Sequence, residues 1–265
     1  MNPTGLLEVT AVRRPTPRTV RVTFTGAGLR ELEPWPDQQL KLLFPPPGRP
    51  VRLPSSAADD VMRWYQAYLA IPEDERPVMR SYTVRGRDGA TIDVDFVLHS
   101  DVASDGPATS WARRAAPGDV LGRYGPDPAY RRPLSTADTV LLAGDETALP
   151  AIATLLSEVD NAVAFVEVAD AAEEQPLPVH WLHRDGAPHG TKLLEAVRDA
   201  PLGPGAAAWL AGEAGMVRAL RRHLVGERGL DKGVIEFTGY WRRALTQDDA
   251  PTSDDLADAR EKLGG

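Results

Sequence analysis

The chain is predicted to be a β plus α/β protein, with an N-terminal antiparallel six-stranded β-barrel followed by a parallel-sheet α/β domain. Three observations lead there. Before residue 130, short runs of alternating apolar and polar residues are separated by Pro and Gly, the pattern of antiparallel strands. At Tyr130-Arg131-Arg132-Pro133 the rhythm changes. Beyond it, near-continuous apolar runs alternate with helical stretches, as strands covered on both faces by crossover helices require. The barrel is assigned to residues 1–132, the α/β domain to 133–243, and a C-terminal tail with a short helix to 244–265.

The barrel strands are expected at residues 7–13, 19–25, 40–44, 80–86, 92–99 and 120–124. Residues 45–77 form an elaboration with a short helix near 59–69. In the second domain, apolar strands are expected at 139–143, 162–168, 179–183, 207–211 and 234–238. Helices are expected at 148–158, 192–200 and 214–225, and an amphipathic one at 254–263.

The 265 residues are enough to build two modest domains without crosslinks, and the absence of cysteine excludes disulfides, thiolate nucleophiles and cysteine-ligated iron–sulfur clusters. A net charge of -8 argues against a nucleic-acid binder. The first residues lack a basic and apolar leader pattern, and no run is long enough to span a bilayer. A cytoplasmic protein without membrane insertion is expected, with a monomer as the default. His180 and His183, three apart on a strand, point to opposite faces and complete no metal site, and no Ser-His-Asp arrangement is present.

Chemistry concentrates in three segments. Arg80-Ser81-Tyr82-Thr83-Val84-Arg85 lies between Pro77 and Gly86 and suits a strand, so Arg80 and Tyr82 share a face. The strand at 91–99 alternates: Ile92, Val94, Phe96 and Leu98 form an apolar row, leaving Asp95, Val97 and His99 to meet a ligand. Gly106-Pro107-Ala108-Thr109-Ser110-Trp111 reads as a turn opening a helix, whose first amides and dipole suit an anion. A cation and helix terminus for a pyrophosphate, a ring for stacking and a hydroxyl for an edge are the parts needed to hold a flavin dinucleotide.

These segments, together with Pro117-Gly118-Asp119, Leu141-Leu142-Ala143-Gly144-Asp145-Glu146-Thr147-Ala148, Trp209-Leu210-Ala211-Gly212-Glu213 and Gly239-Tyr240-Trp241-Arg242, resemble the siderophore-interacting protein family. That family comprises FAD-dependent ferric-siderophore reductases of the ferredoxin-reductase superfamily. The resemblance implies FAD as cofactor, NADPH or NADH as electron donor and a ferric siderophore as acceptor, with reduced ferredoxin left open as donor. It implies pyrophosphate contacts from Arg80, Gly106, Pro107, Ala108, Thr109 and Ser110, and ring contacts from Ser81, Tyr82 and Thr83. Asp145, Glu146 and Thr147 are expected on the nicotinamide side of the flavin, and Trp241 and Arg242 beside it. For the ferric siderophore, Lys41, Arg242, Arg243 and Lys262 are the expected cations. Ala244 stands where the family pattern carries Gly. The turn Gly212-Glu213-Ala214-Gly215 is open to two readings, a nicotinamide contact or a plain strand–helix connection. Two other functions fit the same motifs less fully: a flavin reductase serving another acceptor, and a siderophore-binding module without turnover.

Overall fold

Alternation drives the N-terminal half. In a computed structural model, which describes residues 3–54, 61–98, 106–126, 128, 131–243, 250 and 252–264 (without the side chains of 258 and 261–264), the apolar rows all turn to one side of an antiparallel sheet. Its strands are β1 (Thr4–Thr16), β2 (Thr19–Thr25), β3 (Gln39–Phe44), β4 (Val78–Thr83), β5 (Gly86–Asp88), β6 (Thr91–Val97) and β7 (Val120–Tyr124). The spatial order is β4-β3-β7-β1-β2-β6-β5. The expected six-stranded barrel is therefore corrected to a seven-stranded sheet whose outer strands do not pair with each other. The extra strand, β5, is three residues long and forms a hairpin with β6, too short for a sequence period to reveal. The sheet still curls, because the Arg85 amide just beyond β4 donates to the Asp93 carbonyl of β6.

The concave side holds Leu7, Val20, Val22, Phe24, Leu40, Leu42, Phe44, Ile92, Val94 and Phe96, all at most 3% exposed. Each such side chain contributes about 1.5–3 kcal/mol by burial. Helix α2 (Pro107–Arg114) closes this core by inserting Trp111, whose ring lies 5.6 Å from Phe44 and 5.5 Å from Phe96. On the other side, helix α1 (Val61–Leu69) packs Trp64 and Tyr68 against Leu43 and Tyr124, with the Trp64 and Tyr124 rings 4.0 Å apart.

The second half builds a parallel sheet from β8 (Val140–Asp145), β9 (Ala162–Val168), β10 (His180–His183), β11 (Ala207–Glu213) and β12 (Ile235–Trp241). The order is β10-β9-β8-β11-β12, and every pair is parallel. Helix α3 (Leu149–Leu155) follows β8; α4 (Thr191–Asp199) and α5 (Ala214–Gly226) pack Leu193, Val197, Val217, Leu220 and Leu224 onto the sheet. A last helix, α6, covers Ser253–Gly264. The chain forms two compact units, residues 1–134 with 150–158 and 172–177, and residues 135–149, 159–171 and 178–265.

Candidate functional site

In the first unit the candidate residues gather on β4 and α2. Register pairs Arg80 with Leu42 and Tyr82 with Leu40, so both lie on the core-facing side of β4. Tyr82 is half-buried there, its ring 4.5 Å from Phe96 and 6.3 Å from Phe44. Burial pushes its phenol well above the ordinary range, against the opposing pull of the Arg80 charge, so the hydroxyl stays protonated. Arg80 donates to the Met79 carbonyl at 2.9 Å, Thr83 is buried and Ser81 is exposed.

Helix α2 packs against β2, β3, β4 and β6. Its N-cap is Gly106 in an extended conformation, Pro107 opens the helix, and among the described residues no side chain caps the first amides. Those N–H groups are the ones a bound anion would satisfy. Gly106 and Pro107 are exposed, Ser110 half-buried, and Ala108 and Thr109 buried. An FAD fits this unit on two grounds: a helix start with no side-chain cap among the described residues, and a strand against it that carries a guanidinium and a phenol on one face.

Two of the expected residues have partners within this unit. Asp95 is buried and its carboxylate accepts from Arg21, through Nε at 2.5 Å and Nη2 at 2.7 Å. Alternation alone could place Asp95 opposite the apolar row but could not show the arginine directly across on β2. Lys41 pairs with Ser81 and Tyr124, placing it on the α1 side of β3 and away from the row of Arg80 and Tyr82. Its ammonium lies 3.5 Å from Ser81 Oγ, and burial lowers its pKa. Val97 is half-buried at the end of β6, and His99 lies outside the described residues.

In the second unit the strand ends converge on Asp145, which is fully buried at the C-terminal end of β8. Oδ1 accepts from the Thr147 amide at 2.9 Å and from its hydroxyl. Oδ2 accepts from the Glu213 amide at 2.8 Å and from the Trp241 indole at 3.0 Å. One carboxylate thus ties together the ends of β8, β11 and β12. Burial and the neighbouring Glu146 raise its pKa, partly offset by His189 and by these donors. Asp145, expected on the nicotinamide side of the flavin, makes these hydrogen bonds within the chain. Glu146 is likewise held, by both Arg184 terminal nitrogens at 2.8 and 2.6 Å. Thr147 is half-buried, its hydroxyl pointing back to Asp145.

Close approach explains the glycines around this hub. A Cβ on Gly144 would stand 2.4 Å from Ala148 Cβ and 2.5 Å from the Ala211 carbonyl oxygen. Gly212 has φ +131°, a left-handed conformation, and a Cβ there would meet Asp145 Oδ2 at 2.6 Å. Glu213 caps α5 by accepting from the Met216 amide at 2.8 Å, within the connection from β11 to α5.

Sequence reasoning missed His189, whose Nε2 lies 3.4 Å from Asp145 Oδ2 and whose ring meets Trp241 edge-on at 5.1 Å. It also missed Glu167, buried on β9, which accepts from the Gly190 and Leu193 amides at 2.7 and 3.0 Å and so caps α4. The available signal was Pro188-His189-Gly190 ahead of a helix, with Gly190 at φ +83°.

At the end of β12, Arg242 is held by the C-terminal segment: Nη1 donates to the Ala250 carbonyl at 3.1 Å and to Asp255 Oδ2 at 3.0 Å. The Arg243 side chain is exposed, and its amide donates to Glu213 at 3.2 Å. Ala244 and the Lys262 side chain lie outside the described residues. Among the described residues no cluster of ligands suits a metal ion, and no helix is long and apolar enough to cross a membrane.

An antiparallel β unit followed by a parallel α/β unit, the first with an anion-ready helix start beside Arg80 and Tyr82, is the frame of a flavin-dependent reductase. The chain belongs to the siderophore-interacting protein family. Residues 8–130 match its siderophore-interacting FAD-binding domain, and residues 137–244 match the siderophore-interacting protein domain. The chain is 30% identical to the ferric vibriobactin reductase of Vibrio cholerae, over 92% of this chain and 91% of that one. Among solved structures, a siderophore utilization protein from T. fusca is 38% identical, with a TM-score of 0.78 over 93% of this chain and 95% of that one. The ferredoxin reductase in carbazole 1,9a-dioxygenase, at 18% identity, shares the fold with a TM-score of 0.63, over 90% of this chain and 69% of that one.

Proposed function

We propose that the protein is an FAD-dependent reductase that passes electrons from NADPH or NADH to ferric siderophores and so releases ferrous iron. The observation that carries this reading is the start of α2, with Gly106 as N-cap and no side-chain cap among the described residues, packed against β4 in a segment that matches an FAD-binding domain. Residues 1–132 would hold FAD, residues 133–243 the nicotinamide nucleotide, and residues 244–265 form the tail. The first-turn amides of α2 and the Arg80 guanidinium neutralise the pyrophosphate. Tyr82 and Thr83, with Ser81, position the ring system, and Trp241 is oriented for its part by Asp145.

Bound FAD supplies what no side chain here can, two-electron exchange with nicotinamide and one-electron exchange with iron. Each NADPH or NADH oxidised would reduce two ferric chelates. The iron leaves because hard oxygen ligands hold the ferrous ion far less tightly than the ferric one. No residue of this chain is required as acid or base for electron transfer. The acceptor is held by cations, Arg242 and Arg243 foremost. We place the protein in the cytoplasm, as a monomer.

The test is turnover by the purified, FAD-loaded protein with a ferric siderophore and NADPH or NADH, without ferredoxin, and with a ferrous-specific chelator present. Ferrous chelate should form at two per nicotinamide oxidised. Nicotinamide oxidation that left the iron ferric would point to another acceptor, and no oxidation at all to a binding module.

A further inference from the structure

We infer that Asp255 is a built-in competitor for the acceptor: its carboxylate occupies a two-guanidinium site that a negatively charged ferric chelate takes during turnover. The inference rests on the reading that Arg242 meets the acceptor, and it goes further by assigning that acceptor a charge class and naming a residue that sets affinity for it.

The geometry is specific to one carboxylate. Asp255 Oδ2 accepts from Arg242 Nη1 at 3.0 Å, while Oδ1 lies 3.5 Å from Arg218 Nη1 on α5. Arg218 Nε is also 3.9 Å from Asp254. Two arginines, Arg242 just after β12 and Arg218 on α5, therefore converge on an anion that the chain supplies from its own C-terminal helix. Planar guanidiniums with several donors recognise oxyanions in this way, whichever molecule carries the oxygen.

Asp255 has a second attachment that holds it in place. It accepts from the Thr252 amide and hydroxyl, each at 2.8 Å, and its own amide donates to Thr252 Oγ1 at 3.2 Å, the reciprocal cap of α6. The carboxylate is thus preorganised at the arginines rather than arriving by side-chain wandering. The pair is partly open to water, with side chains 16% and 24% exposed, so an incoming anion can exchange with it. A trianionic chelate gains more from displacing Asp255 than a neutral one does. The tethered carboxylate therefore raises the charge an acceptor must carry to bind well.

Asp255→Asn tests this, because the amide keeps an oxygen for the Thr252 cap while removing the charge and one acceptor oxygen. Binding is measured directly, by tryptophan quenching of the FAD-loaded protein. The two probes are a hexadentate trianionic ferric tris-catecholate and a neutral hexadentate ferric tris-hydroxamate. The expected result is a gain of about three- to tenfold in affinity for the trianionic probe, with the neutral probe changed less than about twofold. Arg242→Gln should weaken the trianionic probe and abolish the gain in the double variant. An equal gain for both probes would mean that α6 acts by bulk, and the inference would be wrong. No gain in Asp255→Asn, with Arg242→Gln still weakening the probe, would overturn the competition and leave the role of Arg242 standing. An Arg242→Gln variant with unchanged affinity would sink the role of Arg242 itself.

Discussion

Replacing Asp145 with alanine should cost the second unit about 3–5 kcal/mol, and the structure says where each part comes from. Three N–H donors, on Thr147, Glu213 and Trp241, lose their acceptor in a fully buried site. A buried donor left unsatisfied costs about 1–3 kcal/mol. Water entering the vacated space recovers part of that, and removing a carboxylate that burial already penalises recovers a little more. Asparagine should be milder. Its oxygen can stay with Glu213 and Trp241 while its amide turns to Thr147, whose hydroxyl can accept. One poor donor–donor contact then remains, worth about 1–2 kcal/mol. Urea unfolding followed by tryptophan fluorescence and by hydrogen exchange of the β11 and β12 amides reports both values. The reasoning fails if Asp145→Ala loses less than about 1 kcal/mol, or if Asp145→Asn is the worse of the two.

Two further expectations follow from the same structure. Arg80→Ala should weaken FAD retention by about 10- to 100-fold, the worth of one charge-assisted contact to phosphate; a variant that purified with full flavin would show that the pyrophosphate lies elsewhere. Acidification should loosen α6: hydrogen bonds from Thr252 and Arg242 hold the Asp255 carboxyl below the usual carboxylate range. A depressed folded-state value means that this anchor is present above the unfolded value, near pH 4, and is lost as pH falls through the folded one. Hydrogen exchange of α6 should rise in that acid window in the wild type and lose the dependence in Asp255→Asn.

The fold was legible because its periods are clean. The apolar rows of residues 19–25 and 92–97 alternate without interruption, and residues 140–144 are apolar on both faces, which separates an antiparallel sheet from a parallel one. Helix α2 was legible from Gly106-Pro107, since only a helix start puts both residues to use. Pairing across the sequence was not. That Asp95 faces Arg21, or that Asp145 reaches Glu213 and Trp241, depends on strand order, and a short motif carries no record of strand order. The Gly-Asp-Glu-Thr segment reads as a ligand turn, and nothing in it reveals that its carboxylates also fasten strand ends and Arg184. The face of the sheet that Lys41 occupies was hidden for a related reason. Its parity along β3 puts it with Leu43, on the side that α1 covers, and residues 45–77 gave no sign of where that helix would pack.

The central claim is that one bound flavin joins a nicotinamide donor to a ferric siderophore, and an anaerobic titration of the purified protein tests it most directly. One equivalent of NADPH or NADH should bleach the oxidised flavin band, and two equivalents of ferric siderophore should restore it while ferrous iron appears. A flavin that bleaches but is restored only by oxygen, with the iron still ferric, would contradict the account.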